Sequence, residues 1–241
     1  MSFNPGSYTL LKGRVGSKAF GLANENSDDD YQGLYVAPTS LFLGLDNRVQ
    51  ESYSYKNPDT TYHEAGKYCR LALGCNPTVL DLLWLEDYNV RTELGTELIN
   101  LRSNFLSLSR VKGAYLSYAN DQFVKLLKDE RPEKRAKNAR HFLRLLIHGS
   151  QIWVSGTYSV KLQDPEYVID FGRRVGVEQD IQYAQEILAN YDKLFKTAPS
   201  ALPDKPNKEP INEWLLKVRH EFYRYSDTSP ADSLEKFKEW P

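Results

Sequence analysis

Gly16 and Ser17 are followed by Asp28 and Asp30, two acids separated by one residue. On an extended segment, side chains at i and i+2 leave the same face. Two carboxylates held side by side repel each other unless a cation lies between them. Their donor set is oxygen only, which suits Mg²⁺ or Mn²⁺. A Gly-Ser pair offers close backbone approach, free N–H groups and a hydroxyl, all of which a phosphate needs. A phosphate cradle ahead of a paired-acid cation site points to nucleotide chemistry. Taken singly, a Gly-Ser is only a turn, and an aspartate run is usually a solvated turn or a helix cap. The reading rests on their combination between two strand-like segments.

The pattern resembles the polymerase-β nucleotidyltransferase superfamily, whose signature is Gly-Ser, a short helix, then Asp-x-Asp on a strand. More narrowly it resembles the RNA-repair-pathway polymerase-β family of predicted nucleotidyltransferases. The matching run is Gly16, Ser17, Lys18, Ala19, Phe20, Gly21 and Leu22, then Ser27, Asp28 and Asp30. Lys18 stands where Arg is more common, which keeps the charge but not the bidentate geometry.

The resemblance implies an α+β fold: a polymerase-β-like core, a small mixed sheet flanked by helices, then a helical C-terminal domain. The expected division is a catalytic domain at 1–105 and a helical domain closing the nucleotide cleft at 106–241. The implied reaction is metal-dependent transfer of a nucleoside monophosphate from an NTP to a hydroxyl, with an RNA 3′ end as acceptor, in tailing or repair. Asp28 and Asp30 would bind two ions, Mg²⁺ or Mn²⁺. Gly16 and Ser17 would hold the phosphates, with Lys18 neutralising them. The superfamily also needs a third carboxylate on a neighbouring strand. Asp59 is the first choice, because it precedes the short strand before the next helix. Glu64 and Glu51 are alternatives, and Asp59 has an ordinary job in the Asn57-Pro58-Asp59 turn.

A second constellation is Lys137, His141, Arg144 and His148, spaced to form one stripe on a helix. Phe142, Leu145 and Leu146 make the adjoining apolar face. Such a stripe is as often a solvated face as a binding one. The family carries a similar helix, KNARHFLRLL here, which implies that Lys137, His141 and Arg144 face the cleft as nucleotide-binding or RNA-backbone contacts. Arg173 and Arg174 in DFGRRVG read first as surface residues. Lys112 and Tyr115 read first as core or surface. His63 and His220 read as structural.

The elements that must position these groups follow from patterning. Tyr8 to Val15 reads as a strand running into the phosphate turn, and Asp28 to Val36 as the next strand. Between them, Ser17 to Ala23 forms a short helix. Glu51 to Tyr55 and Thr60 to Tyr62 are β-prone. A helix from Glu64 stops at Gly74, and Asn76-Pro77 starts the apolar stretch Thr78 to Leu85. Further helices are expected over Val111–Leu127, Ala136–Ile147, Asp180–Phe195 and Ile211–Tyr225. The stretch 129–134 reads as a charged loop broken by Pro132. Tyr158 to Leu162 is a short strand or loop. Ala198 to Pro210 reads as a linker or surface loop, and the tail holds a short helix over Ser233–Trp240.

The chain has 241 residues, 41% hydrophobic and 26% charged, an ordinary globular composition. A net charge of −1 excludes a globally basic nucleic-acid coat, so nucleic-acid binding needs a local patch. Cys69 and Cys75, without a Cys/His cluster, make neither a zinc site nor a disulfide framework. They read as buried thiols in a reducing compartment. MSFNPGSYTL is no signal peptide, and no apolar run reaches transmembrane length, so a cytoplasmic protein without a membrane partner is expected. Two other readings stand beside RNA as acceptor. One is transfer to a protein or small molecule. The other is a non-catalytic nucleotide or RNA binder, which has no need of costly paired acids.

Overall fold

A computed structural model describes residues 4–25, 27–43, 45 and 49–223. The helix expected over Ser233–Trp240 lies outside them. The fold is α+β: a five-stranded mixed sheet with, among the described residues, nine α-helices. The strands are β1 (Thr9–Val15), β2 (Asp30–Tyr35), β3 (Ser52–Tyr55), β4 (Asp59–Glu64) and β5 (Val90–Arg91), in the order β3-β4-β2-β1-β5. β1 runs antiparallel to β2 and β5, β3 antiparallel to β4, and β2 parallel to β4.

The parallel pairing needs a crossover, which residues 36–58 supply. Its register sets Asp30 against Asp59, Gln32 against Thr61 and Leu34 against His63. A slip of one residue would turn every one of these side chains to the other face.

Helices α1 (Gly16–Phe20), α2 (Ala65–Leu73), α3 (Pro77–Leu83) and α4 (Glu93–Asn100) pack around the sheet. Asn76 caps α3 by accepting from Thr78 and Val79 N–H, and Pro77 opens it. β5 and α4 were not apparent from patterning. β5 is two residues long, and α4 is announced only by Thr92, whose side chain accepts from Gly95 N–H.

Helices α5 (Leu108–Lys128), α6 (Pro132–Ser155), α7 (Pro165–Gly176) and α8 (Ile181–Thr197) follow, and α9 (Lys208–Glu221) returns to α2 and α4. Pro132 corrects the expected loop at 129–134. It occupies the first turn of α6, where its missing N–H leaves no bond unmade. α6 therefore runs 24 residues, until Gly156 ends it in the left-handed conformation.

The segment DFGRRVG is the close of α7. A Cβ on Gly176 would lie 2.3 Å from the Ala136 backbone, so only glycine lets α7 approach α6 this closely. Phe142 of α6 sits between Phe123 of α5 and Phe171 of α7, at ring distances of 5.6 and 6.0 Å. Removing such a buried ring costs about 3–5 kcal/mol.

The expected linker at 198–210 is a tied loop. Ala201 N–H and Ser200 Oγ donate to Trp153 O, and Pro203 O accepts from Leu108 N–H. Tyr158 to Leu162 is a loop, with Tyr158, Val160 and Leu162 buried. One apolar core runs from Tyr8 to Phe222 and is continuous across residue 105. Among the described residues no helix is long and apolar enough to cross a membrane.

Candidate active site

Two adjoining cavities, of about 520 and 420 Å³, lie between the face of β2 and β4 and helix α6. Asp30, Asp59, Lys137 and His141 line both. Gly16 and Arg144 line the larger, Ser17 and Asp28 the smaller. Residues far apart in the chain thus share one cleft. Lys18 is the exception: it lines neither cavity and pairs with Asp29 at 3.0 Å.

The strands explain the acid wall. Asp59, Thr61 and His63 alternate along β4 and face the larger cavity, as do Asp30 and Gln32 of β2. Gly16, at φ +73°, turns the chain out of β1, and its backbone lies against the Asp30 carboxylate. A Cβ there would sit 2.3 Å from Asp30 Oδ2, so any other residue would displace that carboxylate. The turn before Asp28 is tied by Ser27 Oγ, which accepts from Asn24 N–H at 2.9 Å.

Burial pushes the Asp30 carboxyl above its ordinary range, and the charges of Asp59, Asp28 and Asp29 push it the same way, while Lys137 opposes them. This is the signature of gathered acids. Among the described residues, however, no three His, Cys, Asp or Glu side chains close around a common point as metal ligands. The donor chemistry of Asp30 and Asp59 fits a hard divalent ion. Asp30 is half-buried, whereas Asp28 and Asp59 are exposed. Asp59 meanwhile accepts from Lys56 Nζ at 3.1 Å.

The two alternative acids are engaged elsewhere. Glu64 is buried, accepts from Gly66 N–H at the start of α2, and is gripped by Arg219 of α9 at 2.5 and 2.8 Å. Glu51 pairs with Arg70. Neither lines the cleft.

The opposite wall is α6. Lys137 is exposed at the mouth. The His141 imidazole is driven down to about 3, first by burial and then by the charges of Arg144, Lys137, Arg140 and Lys125. It is neutral at physiological pH and offers hydrogen bonds, not charge. Arg144 lies deeper, 5% exposed, with Cζ 4.0 Å above the Phe20 ring. It faces Asp81 of α3 at 3.5 Å and His148 Nδ1 at 3.3 Å. Tyr158 OH donates to Asp81 at 2.9 Å. Burial raises Asp81 to about 6, against the pull of Arg144 and Tyr158.

Asp81 is the residue that sequence reasoning missed. It sits within an apolar run, and a carboxylate in such a run has to find a buried partner. That was the available signal. His63 also lines the larger cavity, with Nδ1 2.8 Å from Ser52 Oγ. Arg173 pairs with Asp170 and Glu178, and Arg174 with Asp180, all outside the cleft. Tyr115 is buried in the core.

The chain matches, over residues 6–163, the model of the family described as the RNA repair pathway DNA polymerase beta family (RlaP). A search of the curated proteins finds no match. The protein belongs to the RNA repair pathway DNA polymerase beta family, and this membership supports a nucleotidyltransferase role in general terms.

Proposed function

We propose that this member of the family transfers a nucleoside monophosphate from an NTP to a hydroxyl, with an RNA 3′ end as acceptor. The observation that carries the reading is the register of β2 and β4. It sets Asp30 directly across from Asp59 on the floor of a cleft whose other wall is Lys137 and His141.

In this reading Asp30 and Asp59, joined by Asp28, would hold Mg²⁺ or Mn²⁺. Bound there, the ions would supply Lewis acidity to the phosphoryl oxygens and lower the pKa of the acceptor hydroxyl. The backbone at Gly16 and the Ser17 hydroxyl would receive the phosphate oxygens. Lys137 would neutralise developing charge, and neutral His141 would donate a hydrogen bond. Arg144, held by Asp81, would fix the inner edge of the α6 wall. Most of the rate gain in such transfer comes from positioning and charge stabilisation.

Tyr31 and Tyr118 line the larger cavity beside Lys125. Aromatic rings next to cations suit a base and its phosphate. The free thiols Cys69 and Cys75, both buried, agree with a reducing cytoplasmic setting.

The test uses α-labelled ATP, CTP, GTP and UTP with Mg²⁺ or Mn²⁺, and a short RNA, total tRNA or the protein alone as acceptor. The control is Asp28→Ala/Asp30→Ala. Label on RNA, lost in the control, is the expected result. Label on protein would replace RNA by a protein acceptor. No transfer in any arm would overturn the assignment and leave a binding module.

A further inference from the structure

A third cavity, of about 690 Å³, shares no residue with the cleft. It opens at the N-terminus of α5, a helix of 21 residues. Ser107 holds the N-cap position in extended conformation, yet its side chain makes no capping bond. A serine there ordinarily accepts from the second or third N–H of the helix. Here the hydroxyl is fully buried, lines the cavity and has no partner. The first-turn N–H groups of Ser109 and Arg110 are left without a side-chain cap. They carry the positive end of the helix.

The loop from residues 198 to 207 completes the site. Leu108 N–H donates to Pro203 O, and Asn207 N–H donates to Asn104 O, so the loop is pinned against the start of α5. This places Lys205 and Lys208 on the cavity wall with Arg110. None of these three cations has an ion-pair partner among the described residues. Asp204 offsets one of the charges, and Arg70, also on the wall, is committed to Glu51. The N-terminus of α9 meets the same cavity at Lys208, and its N-cap Asn207 makes no side-chain cap either. Uncapped amides, an unpartnered hydroxyl and unpaired cations belong to residues that line one cavity. A tetrahedral oxyanion satisfies all three at once.

We propose that this cavity is a second phosphate-binding site, which takes the phosphate group of a free nucleotide or of a nucleic-acid backbone. It stands apart from the transfer reaction and does not depend on that reading.

The test is an amide ¹H–¹⁵N titration of the full chain with inorganic phosphate, AMP and a 5′-phosphorylated RNA octamer. Ser109 and Arg110 resonances move saturably. Lys205→Ala/Lys208→Ala, which changes only exposed side chains, weakens that response at least tenfold, and Ser107→Ala weakens it too. Asp30→Asn, which alters the cleft, leaves it unchanged. Equal affinity for AMP and RNA assigns a free nucleotide, and RNA at least tenfold tighter assigns the backbone. The site is overturned if the Ser109 and Arg110 resonances ignore all three probes. It is equally overturned if the Lys205→Ala/Lys208→Ala variant responds as tightly as the parent chain.

Discussion

Asp30 and Asp81 are two carboxylates on facing sides of one cleft, and their surroundings are opposite. Asp81 is 2% exposed, with an arginine and a tyrosine hydroxyl turned onto it. Asp30 is part-buried among other acids, with Lys137 as its opposing charge. Burial raises both carboxyls, but only Asp81 has its charge answered at short range. A fold that needed only stability would treat the two alike. On the proposed reading, the unanswered acids lie where the transfer would need a cation, and the answered one holds Arg144 in place.

The largest effect should come from breaking the answered side. Arg144→Met leaves the Asp81 carboxylate buried without its counter-charge, with only the Tyr158 hydroxyl on it, and should cost about 3–5 kcal/mol. In a chain of this size that lowers Tm by ~6–20 °C. Asp81→Asn combined with Arg144→Met should recover much of the loss, because no buried charge remains. A thermal scan in which Arg144→Met melts with the parent would remove the structural role of the pair.

Asp30→Asn attacks the unanswered side. On the proposed reading it should lower transfer by at least ~10²-fold. It should also leave Tm unchanged or raise it slightly, because mutual repulsion is relieved. Lost activity together with a clear drop in Tm would make Asp30 a structural residue and erase the contrast with Asp81.

Divalent ions sharpen the same contrast. Mg²⁺ or Mn²⁺ at ten times its Kd should add about 1.4 kcal/mol to stability. That gain should vanish in Asp28→Ala/Asp30→Ala and persist in Asp81→Asn. Differential scanning fluorimetry with and without chelator reads it directly.

pH probes the histidine that shares the cleft with these acids. His141 has its pKa lowered to about 3 in the fold, while an unfolded histidine titrates near 6.5. Its contribution is present above pH 6.5 and is lost as pH falls from there towards 3, because the unfolded chain binds the proton first. Asp81 works the other way. Raised to about 6, it keeps its proton in the fold while the unfolded carboxyl loses it near 4, so its share of stability falls as pH rises through 4–6. His141→Gln should therefore lose ~1–2 kcal/mol less than the parent between pH 7.5 and 5. Denaturant melts at the two pH values measure it. An unchanged difference would mean that His141 meets solvent freely.

The residues nearest in sequence were the most legible. Gly16, Ser17, Asp28 and Asp30 lie within one turn-and-strand unit, so local spacing sufficed to bring them together. The α6 stripe was legible through helical periodicity, which places Lys137 and His141 on one face. The same stripe gave no sign that Arg144 faces inward to Asp81, because that partner lies on α3. The pairing of Asp59 with Asp30 depends on a parallel crossover, and pairing between distant strands leaves no local trace. β5 is too short to show a period. Pro132 was misread because proline breaks a helix interior but favours its first turn. Ser107 had no legible signal, since an N-cap serine that fails to cap looks like one that succeeds.

The grip of Arg219 on Glu64 joins positions 155 residues apart. Ribosomes deliver the chain from its N-terminus, so β4 is made long before its clasp exists. Until α9 emerges, the Glu64 carboxylate lacks its cation and has the local Gly66 N–H at the start of α2. The far end of β4, the strand that carries Asp59, therefore gains its clasp only after α9 is made. Closing of that ion pair becomes a late event in the life of each molecule, reached only by chains translated through residue 219.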